Sequence, residues 1–427
     1  MAEFDAHFSK FDFSSHRRVI AAVSGGSDST GLLVLLKEFL GGLPAEPEIV
    51  AVTVDHGLRA ESALEAEKVK ALCAQMNIPH VTKVWRGAKP LTGIQAGARE
   101  ARYALLADAA LEAGASLVLT GHTEDDQIET VFMRAARGEG PGLAGIAPAT
   151  MAFNDHDFGG PLWFGRPLLA ARRGDVRDAL TRRGVNWIDD PSNVNPDFER
   201  AAVRQSLAHS GAELFEDIRA RQSTRARDRA ALSERAAAMI DAHAREIAPG
   251  LLLISEALSR EPDGEAAAEA LRILSALAGG SSKMMDVERA AGLMSRSASG
   301  EPFKATVSRA LLDRRRQGLF IVRERRGLAE PQAGNYDNRF VIAQIFRTPA
   351  NEASFVFPGI ETVNTSGAPD SLWRQARALT PEVSGGAPMR RLLNPWPLRV
   401  PLFDLPAASA LARLTGTTPF PLPPCSL

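Results

Sequence analysis

Val19-Ile20-Ala21-Ala22-Val23-Ser24-Gly25-Gly26-Ser27-Asp28-Ser29, followed by the helical stretch Thr30–Phe39, decides the fold. An apolar strand, a glycine-rich turn and a helix in that order aim backbone N–H groups at a bound anion, and the helix dipole adds to the attraction. Gly25 and Gly26 allow positive φ and close approach of a phosphate, which a Cβ would block. Ser24, Ser27 and Ser29 add hydroxyl donors. Asp28 has the wrong sign for an anion site unless a divalent cation bridges it to the phosphates, so it is the candidate metal ligand. A plain serine–glycine turn with an N-cap is the simpler alternative. The loop is neither commoner phosphate motif: the chain has no Gly-x-x-x-x-Gly-Lys-Ser/Thr, and Gly25-Gly26 lacks the Gly-x-Gly-x-x-Gly spacing.

Outward from this loop, Val19–Val23 is the first of four short apolar runs, with Ile49–Val54, His80–Val84 and Ser116–Thr120. Their spacing is that of a βαβ repeat, which predicts an α/β domain on a parallel sheet. Helices are predicted over Thr30–Leu40, Ala60–Gln75, Gln95–Glu112 and Glu124–Ala136. Ligands of such sheets bind beyond the carboxyl ends of the strands, so the chemistry is expected near Ser24, Asp55, Trp85 and Gly121.

At 427 residues the chain has room for two or three domains. The pattern is irregular over Met151–Gly165, then gives Arg166–Leu169, a helix over Asp175–Arg183 and Trp187–Asp190. An arginine-rich helix is predicted from Ala212 to near Glu246. Helices over Glu265–Leu277 and Met285–Met294 then alternate with strands at Leu251–Ser255 and Leu319–Arg323, and helical periodicity weakens beyond Gly327. The expected organisation is a catalytic α/β domain over residues 1–211, a mostly helical domain over 212–326 and a small α+β C-terminal domain over 327–427. The 50 basic and 51 acidic residues nearly cancel, so nucleic acid would be held by local patches rather than a global field. Cys73 and Cys425 are too few for a cysteine-based metal cluster or a disulfide framework. No segment reads as a signal peptide or a membrane span, so a cytoplasmic location with no membrane partner is expected.

A second candidate site follows the fourth strand: Gly121-His122-Thr123-Glu124-Asp125-Asp126-Gln127-Ile128-Glu129-Thr130. With a helix starting near Thr123, Asp126 and Glu129 stand i,i+3 on one face, and His122 precedes them at the level of the phosphate loop. Acids in a first turn suit the helix dipole, which accounts for Glu124 and Asp125. It does not account for His122, Asp126 and Glu129 converging at the mouth of a sheet that carries a phosphate loop.

Ser24–Ser29 resembles the PP-loop of the ATP pyrophosphatases. Gly-His-x-x-Asp-Asp-Gln-x-Glu-Thr, as it stands at residues 121–130, resembles the signature of the tRNA(Ile)-lysidine synthetases within that superfamily. Asp55-His56-Gly57-Leu58-Arg59 and Ala98-Arg99-Glu100-Ala101-Arg102-Tyr103 are similar to further motifs of the family. So are Arg134 and Arg137 before Gly138–Gly145, Arg166-Pro167-Leu168-Leu169, and Trp187-Ile188-Asp189-Asp190-Pro191-Ser192-Asn193. The match runs in order over residues 18–204. Thr123 stands where the family often has a second His, and Arg200-Ala201-Ala202-Val203-Arg204 matches a family segment without its Asn.

The resemblance implies a PP-loop (adenine nucleotide alpha hydrolase-like) domain and an ATP- and Mg2+-dependent ligase. Such an enzyme joins L-lysine to the wobble cytidine of an isoleucine tRNA with a CAU anticodon. The cytidine O2 oxygen attacks the α-phosphorus of ATP, pyrophosphate leaves, and lysine then displaces AMP. On that reading Ser24, Gly25, Gly26, Ser27, Asp28 and Ser29 hold the ATP, and Asp28 also carries Mg2+. His122, Asp126 and Glu129 would position lysine or cytidine, and a carboxylate would take the amine's proton. Arg102 and Arg204, with Arg59 and Arg200, would meet phosphates or the tRNA. Arg221, Arg225 and Arg229 lie at i, i+4, i+8 and form a helix face expected to touch tRNA phosphates, with Arg314-Arg315-Arg316 as a second cluster. A solvated face balanced by Glu216, Asp217, Asp228 and Glu234 is the alternative for the first cluster. Two other functions stay open at this point. One is a PP-loop enzyme that thiolates a tRNA base, for which the two-thiocytidine type needs clustered cysteines. The other is a tRNA-binding protein with a decayed ATP site, against which the intact motifs speak.

Overall fold

Val19, Ile20 and Ala21 are fully buried, as a central strand of a parallel sheet covered on both faces requires. The computed structural model describes residues 3–57, 62–87, 89–90, 92–138, 140–153, 161–189, 199–328, 335–342, 355–356, 364–383 and 389–427. Its elements begin with α1 (Asp5–Phe8), β1 (Arg18–Ala22), α2 (Ser27–Leu40), β2 (Glu48–Asp55), α3 (Ser62–Gln75), β3 (His80–Val84), α4 (Ile94–Ala113), β4 (Leu117–Thr120) and α5 (Glu124–Ala135). These fall within a few residues of the expected α/β repeat. β5 (Ala149–Phe153), β6 (Pro161–Gly165), α6 (Arg173–Arg182) and α7 (Glu199–Ala208) follow.

The strands run in the order β5-β6-β4-β1-β2-β3, all parallel except β5, which is antiparallel to β6. β1 pairs with β2 on one side and β4 on the other, so the winding reverses there and opens a crevice beyond the carboxyl ends of β1 and β4. α4 covers one face of the sheet, packing Leu106, Ala107 and Ala110 with Ile20, Val52, Val118 and Phe164. α2 packs against α6, and a Cβ on Gly31 would come 2.2 Å from Val176 Cγ1, so only glycine lets these helices approach this closely.

Two expectations are corrected here. Met151–Gly165, read as irregular, contains β6 and most of β5, an antiparallel hairpin that breaks the βαβ rhythm. Arg166–Leu169 leads into a 3-10 turn over Pro167–Ala170, because Pro167 has no N–H to give a strand ladder.

The chain divides into two compact units between Arg227 and Asp228, within α8 (Ala212–His243). The tail Leu422–Leu427 belongs to the first unit. The second carries β7 (Ala244–Ala248), β8 (Leu251–Ile254), α9 (Gly264–Gly279), α10 (Val287–Ala298), β9 (Phe303–Val307), β10 (Ala310–Arg315) and β11 (Gly318–Arg323). Its antiparallel sheet has the order β7-β8-β11-β10-β9. α11 (Asp370–Ala378) buries Leu372, Trp373 and Ala376 against Leu251, Phe320 and Val322. α12 (Leu405–Thr415) shares the core of α9 through Ala407 and Leu411. Residues on both sides of 327 therefore share hydrophobic cores and lie in one unit, and residue 212 marks the start of α8 rather than the break. Arg314, expected in a phosphate-binding cluster, lies in β10 with its side chain 2% exposed and 3.4 Å from Glu256, so it presents no surface charge. Among the described residues no helix is long and apolar enough to cross a membrane.

The second unit is pinned by Asp337, whose buried carboxylate accepts from Arg323 Nε at 2.6 Å and Arg339 Nε at 3.1 Å, and also from Arg309. Arg323, equally buried, donates further to the carbonyls of Arg309, Glu324 and Gly327. Backbone oxygens thus satisfy what one carboxylate cannot. Asp337→Asn leaves buried guanidiniums without a counter-charge and is expected to cost about 3–5 kcal/mol. A urea titration followed by a signal from the second unit checks this, since a midpoint unchanged from wild type would mean the carbonyls suffice.

Candidate active site

The loop after β1 is pre-shaped by its own hydrogen bonds. Ser24 N–H donates to Ser29 Oγ, Ser29 Oγ to the Gly26 carbonyl and Thr30 Oγ1 to the Gly25 carbonyl, each at 3.1 Å. Gly26 is the N-cap of α2 and offers no capping side chain, which leaves the first-turn amides to a ligand. Gly25 has φ +89°, and a Cβ there would meet Ile188 Cδ1 at 2.6 Å. The Ile188 N–H also donates to the Gly25 carbonyl at 2.8 Å, tying the segment after α6 to the loop. From the other side Gly121 presses on the loop: its Cβ would stand 2.6 Å from the Asp28 carbonyl oxygen.

A cavity of about 750 Å³ opens over these loops, lined by Ser24, Gly26, Ser27, Asp28 and Ser29 and by His122, Asp126, Arg102, Arg173, Arg177, Arg200 and Arg204. α5 starts at the Thr123 N-cap as expected, and Asp126 closes a capping box on it: Thr123 N–H and Oγ1 donate to Asp126 Oδ2 at 2.9 and 3.1 Å. Arg173, at the start of α6, binds three carboxylates at once. Its Nε donates to Asp28 Oδ2 at 2.8 Å, and its terminal nitrogens lie 3.4 Å from Asp126 Oδ1 and 3.3 Å from Glu129 Oε1. Arg204 grips Glu129 through Nε at 2.6 Å and a terminal nitrogen at 3.2 Å, and Arg200 stands 3.6 Å from Asp126.

This arrangement separates the acids electrostatically. Burial lifts the Asp28 carboxyl above its ordinary range despite the pull of Arg173. Burial also works against the Asp126 carboxylate, but Arg173, the Thr123 N–H and Arg200 outweigh it and hold that carboxyl low. The same carboxylates raise Arg173 above an ordinary guanidinium even though burial opposes its charge. His122, bonded to Thr120 Oγ1 at 2.9 Å, is pushed down to about 3 by burial and by Arg166 nearby, and is therefore neutral. Burial lowers Arg102 too, and it approaches His56 Nε2 at 3.4 Å.

Of the residues singled out in the sequence, Asp28, His122, Asp126, Arg102, Arg200 and Arg204 line this cavity, and Glu129 joins them through Arg173 and Arg204. Arg59 and Asp190–Asn193 lie outside the described residues. Ser29 does more for loop shape than a simple ligand donor would, and Asp125 caps α6 by accepting from the Arg173 N–H at 2.8 Å. On α8, Arg221 pairs with Asp217 at 2.9 Å, and Arg229 pairs with Asp404, Nε to Oδ1 at 2.8 Å. Sequence reasoning missed Arg173 and Arg177, whose Nε donates to Ser27 Oγ at 3.1 Å. The available signal was Arg172-Arg173 at a helix start, where the dipole disfavours cations.

Between about pH 6.5, where an unfolded histidine titrates, and the folded value near 3, the unfolded chain binds the His122 proton that the folded one refuses. Stability therefore falls as pH drops through that window. In His122→Gln the slope of unfolding free energy against pH should be shallower by up to about 1.4 kcal/mol per pH unit. Chemical unfolding at several pH values checks this, and equal slopes would mean a protonated ring in the folded site.

Comparison with known proteins bears on this geometry. Residues 2–210 match the PP-loop domain family. The chain is similar to a tRNA(Ile)-lysidine synthase of Mesorhizobium japonicum, at 40% identity over 98% of this chain and 96% of that protein. It is also similar to one from Rhizobium meliloti, at 37% identity over 96% of this chain and 94% of that protein. A third, from Brucella ovis, is 50% identical over 53% of this chain and 50% of that protein. A phosphate loop and an acid-bearing helix meeting at the β1/β4 crevice, in a chain alike over nearly its whole length to these relatives, make it a member of the PP-loop tRNA(Ile)-lysidine synthase family.

Proposed function

We propose that this protein uses ATP to join L-lysine to the wobble cytidine of an isoleucine tRNA with a CAU anticodon. In the first step the cytidine O2 lone pair attacks the α-phosphorus, the bond to the β-phosphate oxygen breaks, and pyrophosphate leaves. In the second, a lysine ammonium gives up a proton and its amine attacks the activated base carbon, expelling AMP. The observation that carries this reading is the convergence of the phosphate loop and Asp126 on one cavity, with Arg173 joining Asp28 and Asp126 to Glu129 buried beside it.

First-turn amides of α2, with Ser24 and Ser27, would hold the pyrophosphate portion, and Arg173 and Arg177 flank it as cations. Asp126 and Glu129 suit an ammonium, and an ionised carboxylate beside it can accept the amine's proton. His122, held neutral, would position the base or the amine by hydrogen bonding rather than by charge. Arg102 and Arg200, at the cavity, would meet phosphates or the tRNA. The donor set also fits Mg2+ arriving with ATP. Among the described residues no three His, Cys, Asp or Glu side chains form a resident cage, and Mg2+ usually takes one or two protein carboxylates and completes its shell with phosphate oxygens. Asp28 would be that carboxylate, and the ion would neutralise charge on the leaving group. Base thiolation is disfavoured. Cys73 and Cys425, the chain's two cysteines, are buried, and burial raises their thiols to about 11 and about 12.

Pyrophosphate release should require ATP and tRNA, with one equivalent formed when lysine is left out and sustained turnover when it is added. Asp28→Ala should abolish release while tRNA still binds, and a parallel loss of tRNA affinity would contradict the assigned role. For tRNA itself, Arg221 and Arg225 are proposed to meet backbone phosphates. Arg229 shares their spacing, but its guanidinium is engaged by Asp404. Replacing Arg221 and Arg225 with Ala should flatten the salt dependence of tRNA affinity by about 0.7–0.9 for each phosphate that is no longer neutralised. The Michaelis constants for ATP and lysine should hardly move. Filter binding at several salt concentrations measures the slope, and an unchanged one would leave α8 as a solvated face.

A further inference from the structure

The motifs do not account for Arg173, and its position is specific. Asp126 Oδ2 is taken by the Thr123 N–H and hydroxyl, so Oδ1 is the oxygen left for a cation. Arg173 fills the space between that oxygen and Glu129 Oε1, at 3.4 and 3.3 Å, where a substrate ammonium would be held. Its Nε at the same time reaches Asp28 on the phosphate loop at 2.8 Å. We propose that Arg173 is a positioning residue that closes the ammonium site until a polyphosphate at the loop after β1 draws its guanidinium away, so that nucleotide admits the amine substrate. The inference rests on the function proposed above and adds to it a coupling between the two substrates.

The physical argument is one of exchange. The Arg173 side chain is only 16% exposed, so its guanidinium cannot be displaced into water and needs another anion in reach. An amine arriving first would take the carboxylates and strand it. A polyphosphate arriving first supplies strong, forked acceptors next to Asp28 and leaves Asp126 and Glu129 short of a cation. Arg200 and Arg204 also approach these two acids, but their side chains are 43% and 31% exposed and solvent can satisfy them if they yield. Arg177, one turn further along α6, donates to Ser27 Oγ at 3.1 Å and lines the same cavity beside the loop.

The full chain is titrated with L-lysine by calorimetry, with and without a non-hydrolysable ATP analogue. In parallel, carbodiimide labelling of Asp126 and Glu129 is read by peptide mass spectrometry. In wild type the analogue should raise lysine affinity by about tenfold or more, a usual size for coupled sites, and should raise labelling. In Arg173→Ala both should be high and independent of nucleotide. Arg173→Lys should restore the dependence, which a merely structural role would not predict, and it serves as the probe if the alanine variant fails to fold. Equal lysine affinity with and without the analogue in wild type, or labelling indifferent to it, overturns the coupling and leaves the proposed ligase intact. Labelling that responds to nucleotide while lysine binds in neither state keeps the coupling and removes lysine as the amine.

Discussion

The loops after β1 and β4 meet backbone to backbone, with no room for a side chain where Gly121 faces the Asp28 carbonyl. Parallel pairing of Ala22 with Thr120 brings both strands to an end at the same level, so α2 and α5 begin beside each other. Two helix N-termini with their partial positive charge then face one volume, which offsets part of the cost of gathering Asp28, Asp126 and Glu129 there. Wider spacing between the loops would leave these acids on separate helices with nothing in common.

Gathered acids still need cations, and the chain supplies them from α6 and α7 rather than from the sheet. Arg173, Arg200 and Arg204 arrive from the last segments of the first unit, so the site is complete only when residues far along the sequence have packed against the early βαβ repeats. Two of these carboxyls are shifted in opposite directions. Asp28 is held up by burial, while Asp126 is held down by its N-cap and its cationic neighbours. Acids whose environments differ in this way can take different parts in one reaction.

Much of this is legible in the sequence because it is local. The strand–glycine–helix run at 19–39 and the acids at 126 and 129 carry their geometry in their spacing, and both appear as expected. What escapes a sequence reading depends on tertiary contacts. β5 and β6 form a hairpin whose short strands do not follow the βαβ period, and β10 reads Ala-Leu-Leu-Asp-Arg-Arg, in which Asp313 and Arg314 are buried among partners that periodicity cannot name. Arg229 matches a basic face by spacing, yet its partner Asp404 is remote in sequence. Arg173 reads as a cation badly placed at a helix start, and only the neighbouring acids explain it.

Gly31 sits inside α2, one turn past its start, where glycine costs about 1 kcal/mol relative to alanine in a helix interior. It has no polar atom beyond its backbone and takes no part in any ion pair. Yet the absence of its Cβ lets Val176 and α6 settle onto α2, and α6 carries the guanidinium that the acids share. Local helix strength is given up at this position to set the distance between two helices. Selection for heat resistance would ordinarily favour alanine there, so thermal tolerance and site geometry pull against each other at a residue that has no side chain.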